Sequence, residues 1–214
     1  MAKTSADPKR SYDPEGMRRR LLDVAAEAFQ SRGYQGTGMH EIMRIAGTTG
    51  GALYHHFPTK KALGLAVIRD RVAQEVEETW CAPVRSAPDA LEGIAAVFAG
   101  IAEGLARRGA VSGCPLNNLV LELSLADPEF RLAMQALFEA WRAAIAERLR
   151  ADQDSGRLAA ADPDDLATFV VAAYSGAMAL AKAEQSAAPL RACAQQLMGC
   201  LERLRVARAS SDQA

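Results

Sequence analysis

Apolar residues recur at every third or fourth position along almost the whole chain, and no stretch shows the strict alternation that is typical of a β-strand. The pattern therefore predicts an all-α fold with about nine helices. The predicted helices lie near residues 14–32, 38–46, 49–55, 59–80, 88–108, 116–125, 128–152, 163–184 and 189–207.

Short local motifs mark where several of these helices begin. Asp13, Asp127 and Asp162 are each followed by proline and then by an acidic residue. Aspartate can accept the free amide hydrogens of a helix start, proline fits the first turn, and the acid suits the positive end of the helix dipole. Glycines are the expected helix stops; they lie at Gly33, Gly47, Gly109 and Gly156.

The distribution of charge divides the chain into two parts. Residues 1–71 contain 12 Lys and Arg against 7 Asp and Glu, a net charge of +5, whereas the rest carries 13 against 19, a net charge of −6. A basic block joined to an acidic remainder favours contact with a polyanion by the first part. Ordinary scatter of charge is the alternative.

The chain is interpreted as a cytoplasmic protein. Its first residues are polar, with no apolar signal segment, and its longest uncharged stretch, 166–181, is shorter than a membrane span. Thiols are kept reduced in the cytosol. We therefore expect four reduced cysteines, and their spacing favours no zinc site; they are Cys81, Cys114, Cys193 and Cys200.

Residues 37–63 carry the clearest functional pattern. Two short helices that meet at Gly47 have the spacing of a helix-turn-helix. The second helix begins with small residues, so that its bare end can approach a phosphate or a base edge closely. Tyr54, His55 and Lys60 follow as hydrogen-bond donors suited to backbone phosphates.

The stretch 21–63 resembles the DNA-binding domain of TetR-type transcriptional regulators. The residues that carry the resemblance include Ala25–Phe29, Gly33-Tyr34, Thr37, Ile42, Ala46-Gly47, Gly51, Leu53-Tyr54, His56-Phe57, Thr59-Lys60 and Leu63. The resemblance implies an all-helical homodimer whose third helix enters the major groove of DNA. The residues expected to contact DNA are Thr37, Arg44, Thr48, Thr49, Gly50, Gly51, Tyr54, His55, His56, Thr59 and Lys60.

The expected domain organisation follows from this resemblance. It comprises a flexible tail (1–12), a DNA-binding domain (13–60), a domain for effector binding and dimerisation (61–208) and a second flexible tail (209–214). Polar ends of this kind are commonly mobile.

The second part of the chain supplies candidates for an effector pocket. Cys114 precedes a predicted helix, whose positive end can lower the pKa of a thiol, so it is either a sensor of electrophiles or a small buried apolar residue. An apolar pocket with a few polar groups suits a flat hydrophobic ligand. The candidate pocket residues are Cys114, Asn117, Asn118, Phe138, Trp141 and Tyr174.

The last two predicted helices are candidates for the dimer interface. Small residues in the eighth helix allow close approach of another helix, and the ninth has the narrow apolar stripe of a helix–helix interface. The candidates are Ala173, Ala177, Cys193, Leu197, Cys200 and Leu204. Packing within the chain itself is the alternative.

The predicted function is a ligand-responsive regulator, most simply a repressor that binds a palindromic operator as a dimer and is released by a small hydrophobic or thiol-reactive effector. An all-helical enzyme or an adaptor module is the alternative. No nucleotide-binding or hydrolase motif is present, and every histidine (His40, His55 and His56) lies in the first part. No cofactor, metal or membrane is expected.

Overall fold

The computed structural model describes residues 13–206, and this part of the chain folds into nine helices joined by short turns, as the periodicity predicts. The predicted tails lie outside the described residues. The helices are α1 (Pro14–Arg32), α2 (Met39–Ala46), α3 (Gly50–His56), α4 (60–86), α5 (Ala90–Arg108), α6 (Pro115–Leu123), α7 (Pro128–Asp154), α8 (Pro163–Glu184) and α9 (Ala188–Leu201).

Helix α4 is longer than predicted and changes its winding along the way. It begins as an α-helix (Lys60–Ala66), passes through two π-helical segments (Val67–Val72 and Glu77–Cys81) and ends at Ser86. Pro83 lacks an amide hydrogen and its ring crowds the carbonyl four residues earlier. The π-helical turn directly before Pro83 is where such crowding can be relieved, so that the helix continues rather than stopping near Trp80.

Helices α1 to α3 form a small module around one apolar core. Leu21 and Phe29 of α1, Ile42 of α2 and Leu53 of α3 are buried in it. Gly47 has a φ of 62° at the turn between α2 and α3, a left-handed conformation that costs glycine little.

Thr37, a residue of the kind that commonly caps a helix start, does not cap α2. The residue that caps α2 is Gly38, which offers no side chain. Thr37 is fully buried, and its hydroxyl donates to the carbonyl oxygens of Gly33 (2.8 Å) and Ala28 (3.2 Å). Its side chain therefore closes the turn after α1 instead of beginning the next helix.

Helices α4 to α9 form the second part, which contains most of the core. The carboxylate of Asp152 is completely buried and accepts the Ala90 amide at 2.6 Å together with the guanidinium groups of Arg148 and Arg157. The chain after α9 pairs with the α7–α8 loop, because the Ala159 amide donates to the Leu204 carbonyl at 2.7 Å. This pairing ends α9 at Leu201, earlier than predicted.

Helix α8 is long and apolar enough to cross a membrane by length and composition alone. The sequence had indicated a stretch too short for that. Its apolar residues are split between two faces, with Val170 and Tyr174 buried and Phe169 and Leu180 exposed. Core helices of soluble proteins pass the same test of composition, and α8 packs against α7 and α9.

Helix α6 joins the two parts of the molecule. The carboxylate of Glu122 accepts the backbone amides of Tyr34 (2.9 Å) and Gln35 (2.6 Å) in the turn after α1. At the other end of α6, the Gln30 side chain donates to the Gly113 carbonyl at 2.7 Å and accepts from Asn118 at 3.1 Å. The position of α1, and with it α2 and α3, is therefore tied to the position of α6.

We predict that Glu122→Ala lowers the free energy of unfolding by about 1–3 kcal/mol, because two amide hydrogens lose a charged acceptor. Urea denaturation measures the loss. Hydrogen exchange should accelerate at Tyr34 and Gln35, whose amides Glu122 holds. Glu147→Ala, at an exposed position of α7, is the control. Unchanged exchange at both amides would contradict the role assigned to Glu122.

Candidate nucleic-acid interface and buried cavity

Helix α3 has one buried side and one exposed side. Leu53 is 1% exposed and Phe57, directly after the helix, is 3% exposed, so both anchor α3 to the core. Tyr54 is 45% exposed, and His55 is exposed beside it. Thr49 begins the helix by accepting the Ala52 amide at 3.3 Å. The outward side thus carries a phenol and an imidazole next to a bare helix start.

The two glycines at the start of α3 are not required by packing within the chain. A β-carbon on Gly51 would come no closer than 4.0 Å to Thr49 Oγ1, and one on Gly50 would lie 3.8 Å from Met43 Sδ. Neither residue has a positive φ. The lack of side chains here leaves backbone amides open to something that approaches from outside.

Two residues that were predicted to contact DNA, Thr37 and Lys60, already form side-chain hydrogen bonds within the chain. Thr37 is wrong as a side-chain contact, because its hydroxyl is buried as described above. The Lys60 ammonium lies 4.4 Å from the centre of the Tyr34 ring and donates to the Gln35 carbonyl at 3.3 Å. Desolvation lowers the pKa of Lys60, and the charge of Glu122 opposes that shift.

The other predicted contacts surround α3. Arg44 lies on the exposed side of α2, and Thr48 is half-buried in the turn. His56 is half-buried, with its ring 6.4 Å from that of Phe57. Thr59 caps α4 by accepting the Ala62 amide at 3.0 Å. Their contacts with DNA stay predictions.

A small cavity of about 20 Å³, room for about one water molecule, lies between α4, α7, α8 and the start of α6. Three of the six predicted pocket residues line it: Cys114, Trp141 and Tyr174. Sequence reasoning missed most of its α4 wall, although the spacing of three and four along one helical face was visible. That wall consists of Val72, Glu75, Val76, Thr79 and Trp80.

The other three predicted pocket residues lie outside this lining. Asn117 accepts a hydrogen bond from Ser175 at 3.2 Å, and Phe138 stacks on Trp141 with ring centres 6.1 Å apart. Asn118 bridges α6 to Gln30 and, through a 3.0 Å contact, to the Lys182 ammonium. These residues hold the surrounding helices together rather than facing the cavity.

Burial controls the chemistry of the cavity. It raises the pKa of the Cys114 thiol to about 11, and the amides of Asn117 and Leu116 at the start of α6 only partly oppose the shift. Burial likewise raises the pKa of Tyr174 well above its ordinary value. The helix start was expected to favour the thiolate, but desolvation is the larger effect here. The structure therefore favours the alternative of a small buried thiol.

The cavity continues towards solvent past Glu75. A neighbouring groove of about 180 Å³ shares Val72, Glu75 and Pro115 with it and is bounded on the far side by Phe29 and Gln30 of α1. Desolvation raises the pKa of the Glu75 carboxyl, while the charge of Arg108 lowers it. A ligand that extends from the cavity into this groove would touch both parts of the molecule.

The predicted dimer interface is mostly internal. Ala177 and Leu197 are 3% and 2% exposed and pack within the chain, so they were wrong as interface residues. The Cys193 thiol donates to the Ala173 carbonyl at 3.4 Å, which joins α8 to α9, and Leu204 is half-buried. Cys200 alone of the six is exposed. The stripe on α9 was read correctly as a helix–helix contact, but its partner is α8 of the same chain.

The outer side of α8 is apolar and exposed. Phe169 is 46% exposed and Leu180 56% exposed, and between them lie the exposed small residues Ala172 and Gly176. These residues follow one another at spacings of three or four, so they share one face. We call this set the outer face of α8. The small residues of the eighth helix were expected to allow close approach of another helix, but Phe169 and Leu180 were not among the candidates.

Both parts of the chain match sequence models of known transcriptional regulators. The sequence model of bacterial regulatory proteins of the tetR family matches residues 21–67, and that of the C-terminal domain of LmrA/YxaF-like transcriptional regulators matches residues 90–196. The transcriptional regulator AcuR of Cereibacter sphaeroides is 31% identical over 191 residues, which cover 86% of this chain and 84% of the relative. The transcriptional repressor DhaR of Mycobacterium sp. strain GP1 is 28% identical, over 81% of this chain and 86% of the relative.

Solved structures agree with this assignment. A TetR transcriptional regulator from Chloroflexus aurantiacus J-10-FL superposes with a TM-score of 0.81 at 28% identity, covering 91% of this chain and 98% of its own. The regulatory protein TetR from Rhodobacter sphaeroides gives a TM-score of 0.77 at 27% identity, covering 89% of this chain and 99% of its own. The similarity spans the helix-turn-helix and the helices around the cavity alike.

We predict that Cys114 does not react as a thiolate at neutral pH. Because its folded-state pKa is about 11, the protonated form dominates below that pH. Brief treatment with iodoacetamide at pH 7.5, followed by peptide mass spectrometry, should label the exposed Cys200 well before Cys114. Denatured protein, in which all four thiols react, is the control. Equal labelling of both residues in the folded protein would contradict the prediction.

Proposed function

The chain belongs to the TetR family of DNA-binding transcriptional regulators, which are not enzymes, and from that premise we propose that it is a cytoplasmic repressor released from its operator by a small hydrophobic effector. Regulators of this family bind DNA and act as dimers. Among the similar proteins, DhaR is named a transcriptional repressor. The name of this relative supports the proposal that the present protein represses transcription.

The observation that carries the proposal is the exposed start of α3. Thr49, Gly50 and Gly51 form a helix end that no packing within the chain requires to be bare. Tyr54 and His55 stand one turn further along on the exposed side. A helix of this kind, held by buried residues behind it, presents its first residues to base edges and its flanks to phosphates.

The outer face of α8 is the proposed surface for a second copy. A single helix face with Phe169 and Leu180 exposed, and with small residues between them, is self-complementary about a twofold axis. To bind an operator, such a dimer has to present its two α3 helices to successive major-groove half-sites, which are about 34–36 Å apart. A near-palindromic operator follows from that symmetry.

The route from effector to DNA passes through α6. Cys114, Pro115 and Leu116 at the start of α6 line the cavity, while Glu122 at its end holds the turn after α1. A ligand that shifts α6 therefore moves α1 as well. Release from DNA requires that the effector binds the shifted arrangement more tightly than the DNA-bound one.

The first test is DNA binding by Gly51→Ala. The substitution has room within the protein and suits a helix, so folding stability should be unchanged or higher. The added methyl group should block close approach and weaken binding by about tenfold or more, the equivalent of one lost contact. Fluorescence anisotropy with the DNA that flanks the gene, at two salt concentrations, measures the affinity and its salt dependence.

Gly100→Ala is the matched control for this experiment. Gly100 lies in α5, far along the chain from α3, and a β-carbon there would meet nothing within 4 Å. Its affinity for DNA should equal that of the unmodified protein. Equal binding by both variants would show that the start of α3 does not touch DNA.

The second test concerns the dimer. Gly176→Arg places a long charged side chain in the outer face of α8, where a β-carbon has open space in the single chain. We expect folded monomers, because the charge cannot be buried against a second copy without a partner. Light scattering after size-exclusion chromatography measures the mass. Gly100→Arg, also open, should remain dimeric, and a dimeric Gly176→Arg protein would place the interface elsewhere.

A further inference from the structure

A groove runs between α1, α4 and α6 beside the small cavity. Its narrow part, of about 180 Å³, adjoins a wider part of about 600 Å³ along α1 and α4, and the two parts share Ala26, Arg71 and Glu75. Sites for small ligands commonly measure about 300–1,000 Å³. The α1–α4 groove, as we call the two parts together, therefore has room for a small molecule, whereas the cavity has room for about one water.

The narrow part of the α1–α4 groove has an apolar base. Phe29 of α1, Val72 of α4 and Leu119 of α6 line it and are buried, and Pro115 at the start of α6 lies beside them. Contact between such a base and an apolar part of a ligand is favourable, because it removes apolar surface from water. A ligand that fits this part of the groove therefore has an apolar body.

Two carboxylates on the walls of the narrow part are without a partner. Glu27 of α1 and Glu75 of α4 both line it, and neither carboxylate forms a hydrogen bond or an ion pair with another residue of 13–206. Glu78 adds a third negative charge in the wider part, where it accepts the Gln74 amide at 2.7 Å. Carboxylates beside an apolar base favour a ligand that carries a positive charge next to its apolar body.

The positive groups nearby leave the charge of the narrow part negative. The Arg71 guanidinium donates to Asp23 at 2.5 Å and to the Arg19 carbonyl at 3.3 Å, so its charge is balanced within the chain. The Arg19 side chain lines only the wider part. Arg108 acts on Glu75 from the end of α5, but these two side chains form no ion pair. A ligand anion would therefore be repelled from the narrow part.

The carboxylates of the groove are not arranged to hold a metal ion. Within residues 13–206, no group of three or more His, Cys, Asp or Glu side chains has the arrangement of a metal site. Hard metal ions such as Ca²⁺ need several oxygen ligands at once. An organic cation needs only one or two carboxylates and gains apolar contact as well, so it fits this groove better.

We propose that the α1–α4 groove binds a small organic cation, with its apolar body on Phe29, Val72 and Leu119 and its ammonium group beside Glu27 and Glu75. The inference rests on the proposed function, because it names the charge of the effector and the place where the effector binds. Such a ligand touches α1, α4 and α6 at once.

The position of the groove connects the ligand to the DNA-binding module. Gln30 lines the narrow part and also bonds to Gly113, just before α6, and to Asn118 within α6. A ligand that displaces the Gln30 side chain loosens this link between α1 and α6. The bound cation should therefore weaken the affinity for DNA, as coupling between two sites requires.

Three ligands of nearly the same shape test the role of charge. These are 4-phenylbutylammonium, 4-phenylbutanol and 4-phenylbutyrate, each titrated into the full chain by isothermal titration calorimetry. The ammonium compound should bind about fivefold more tightly than the alcohol, the effect expected of one partly exposed ion pair. The carboxylate should bind most weakly, and added salt should reduce the advantage of the cation.

Neutral variants test the location of the site. In Glu27→Gln/Glu75→Gln, the ammonium compound and the alcohol should bind equally, whereas Glu147→Gln, at an exposed position of α7, should keep the difference. These substitutions preserve the size of each side chain, so the protein should remain folded. In a ¹H–¹⁵N correlation spectrum, the cation should shift the backbone amide signals of Gln30 and Leu119, which line the groove.

Four results would overturn the proposal. These are no binding of the cation, equal binding of the cation and the alcohol, a difference that survives in the double variant, or amide shifts confined to other parts of the chain. The measurements need no DNA, so they are independent of the regulator function. If the cation binds in the groove and anisotropy detects no DNA binding, the regulator function is wrong and the site stands. If DNA binds and the cation does not, the regulator function stands without this effector.

Discussion

Two hydrogen bonds to one carboxylate tie the DNA-binding module to α6, beside the ion pairs that join α1 to α4. Glu122 accepts the Tyr34 and Gln35 amides, which belong to the turn between α1 and α2 and to neither helix. Together the two bonds contribute about 1–3 kcal/mol, because the turn is partly exposed to solvent. The position of α3 follows that of the helices before it, since α3 packs on α2 and has too few residues to be stable alone.

Helix α6 carries Glu122 and also forms part of the cavity wall. It can therefore couple the cavity energetically to the turn after α1. Coupling between two sites in a protein typically amounts to about 1–3 kcal/mol. The contacts between α6 and the turn are of that size, so a ligand that strains them can change the affinity for DNA without unfolding either part. Gln30 of α1 adds to the coupling, because it bonds to Asn118 of α6 and to Gly113 in the segment just before α6.

The sequence was sufficient to predict where the helices lie, but it was not sufficient to predict which face of each helix is buried. Local chemistry, such as the Asp-Pro pairs before α7 and α8 and the left-handed Gly47, sets where helices begin and end. Which side of a helix meets its own chain depends on the partner, which periodicity does not reveal. That is why Leu197 was assigned to a dimer and proved to be core, whereas the exposed Phe169 and Leu180 were not chosen.

The candidate sites show the same division between local and tertiary causes. Tyr54 and His55 are exposed because their neighbours Leu53 and Phe57 anchor α3 inward, which the local spacing indicates. The hydroxyl of Thr37 is buried because it finds its acceptors only in the folded turn. For Cys114 the local signal, a helix start, and the tertiary one, burial, act in opposite directions on the thiol. Burial prevails because desolvation acts on the whole charge, while the amides at the helix start supply only partial charges.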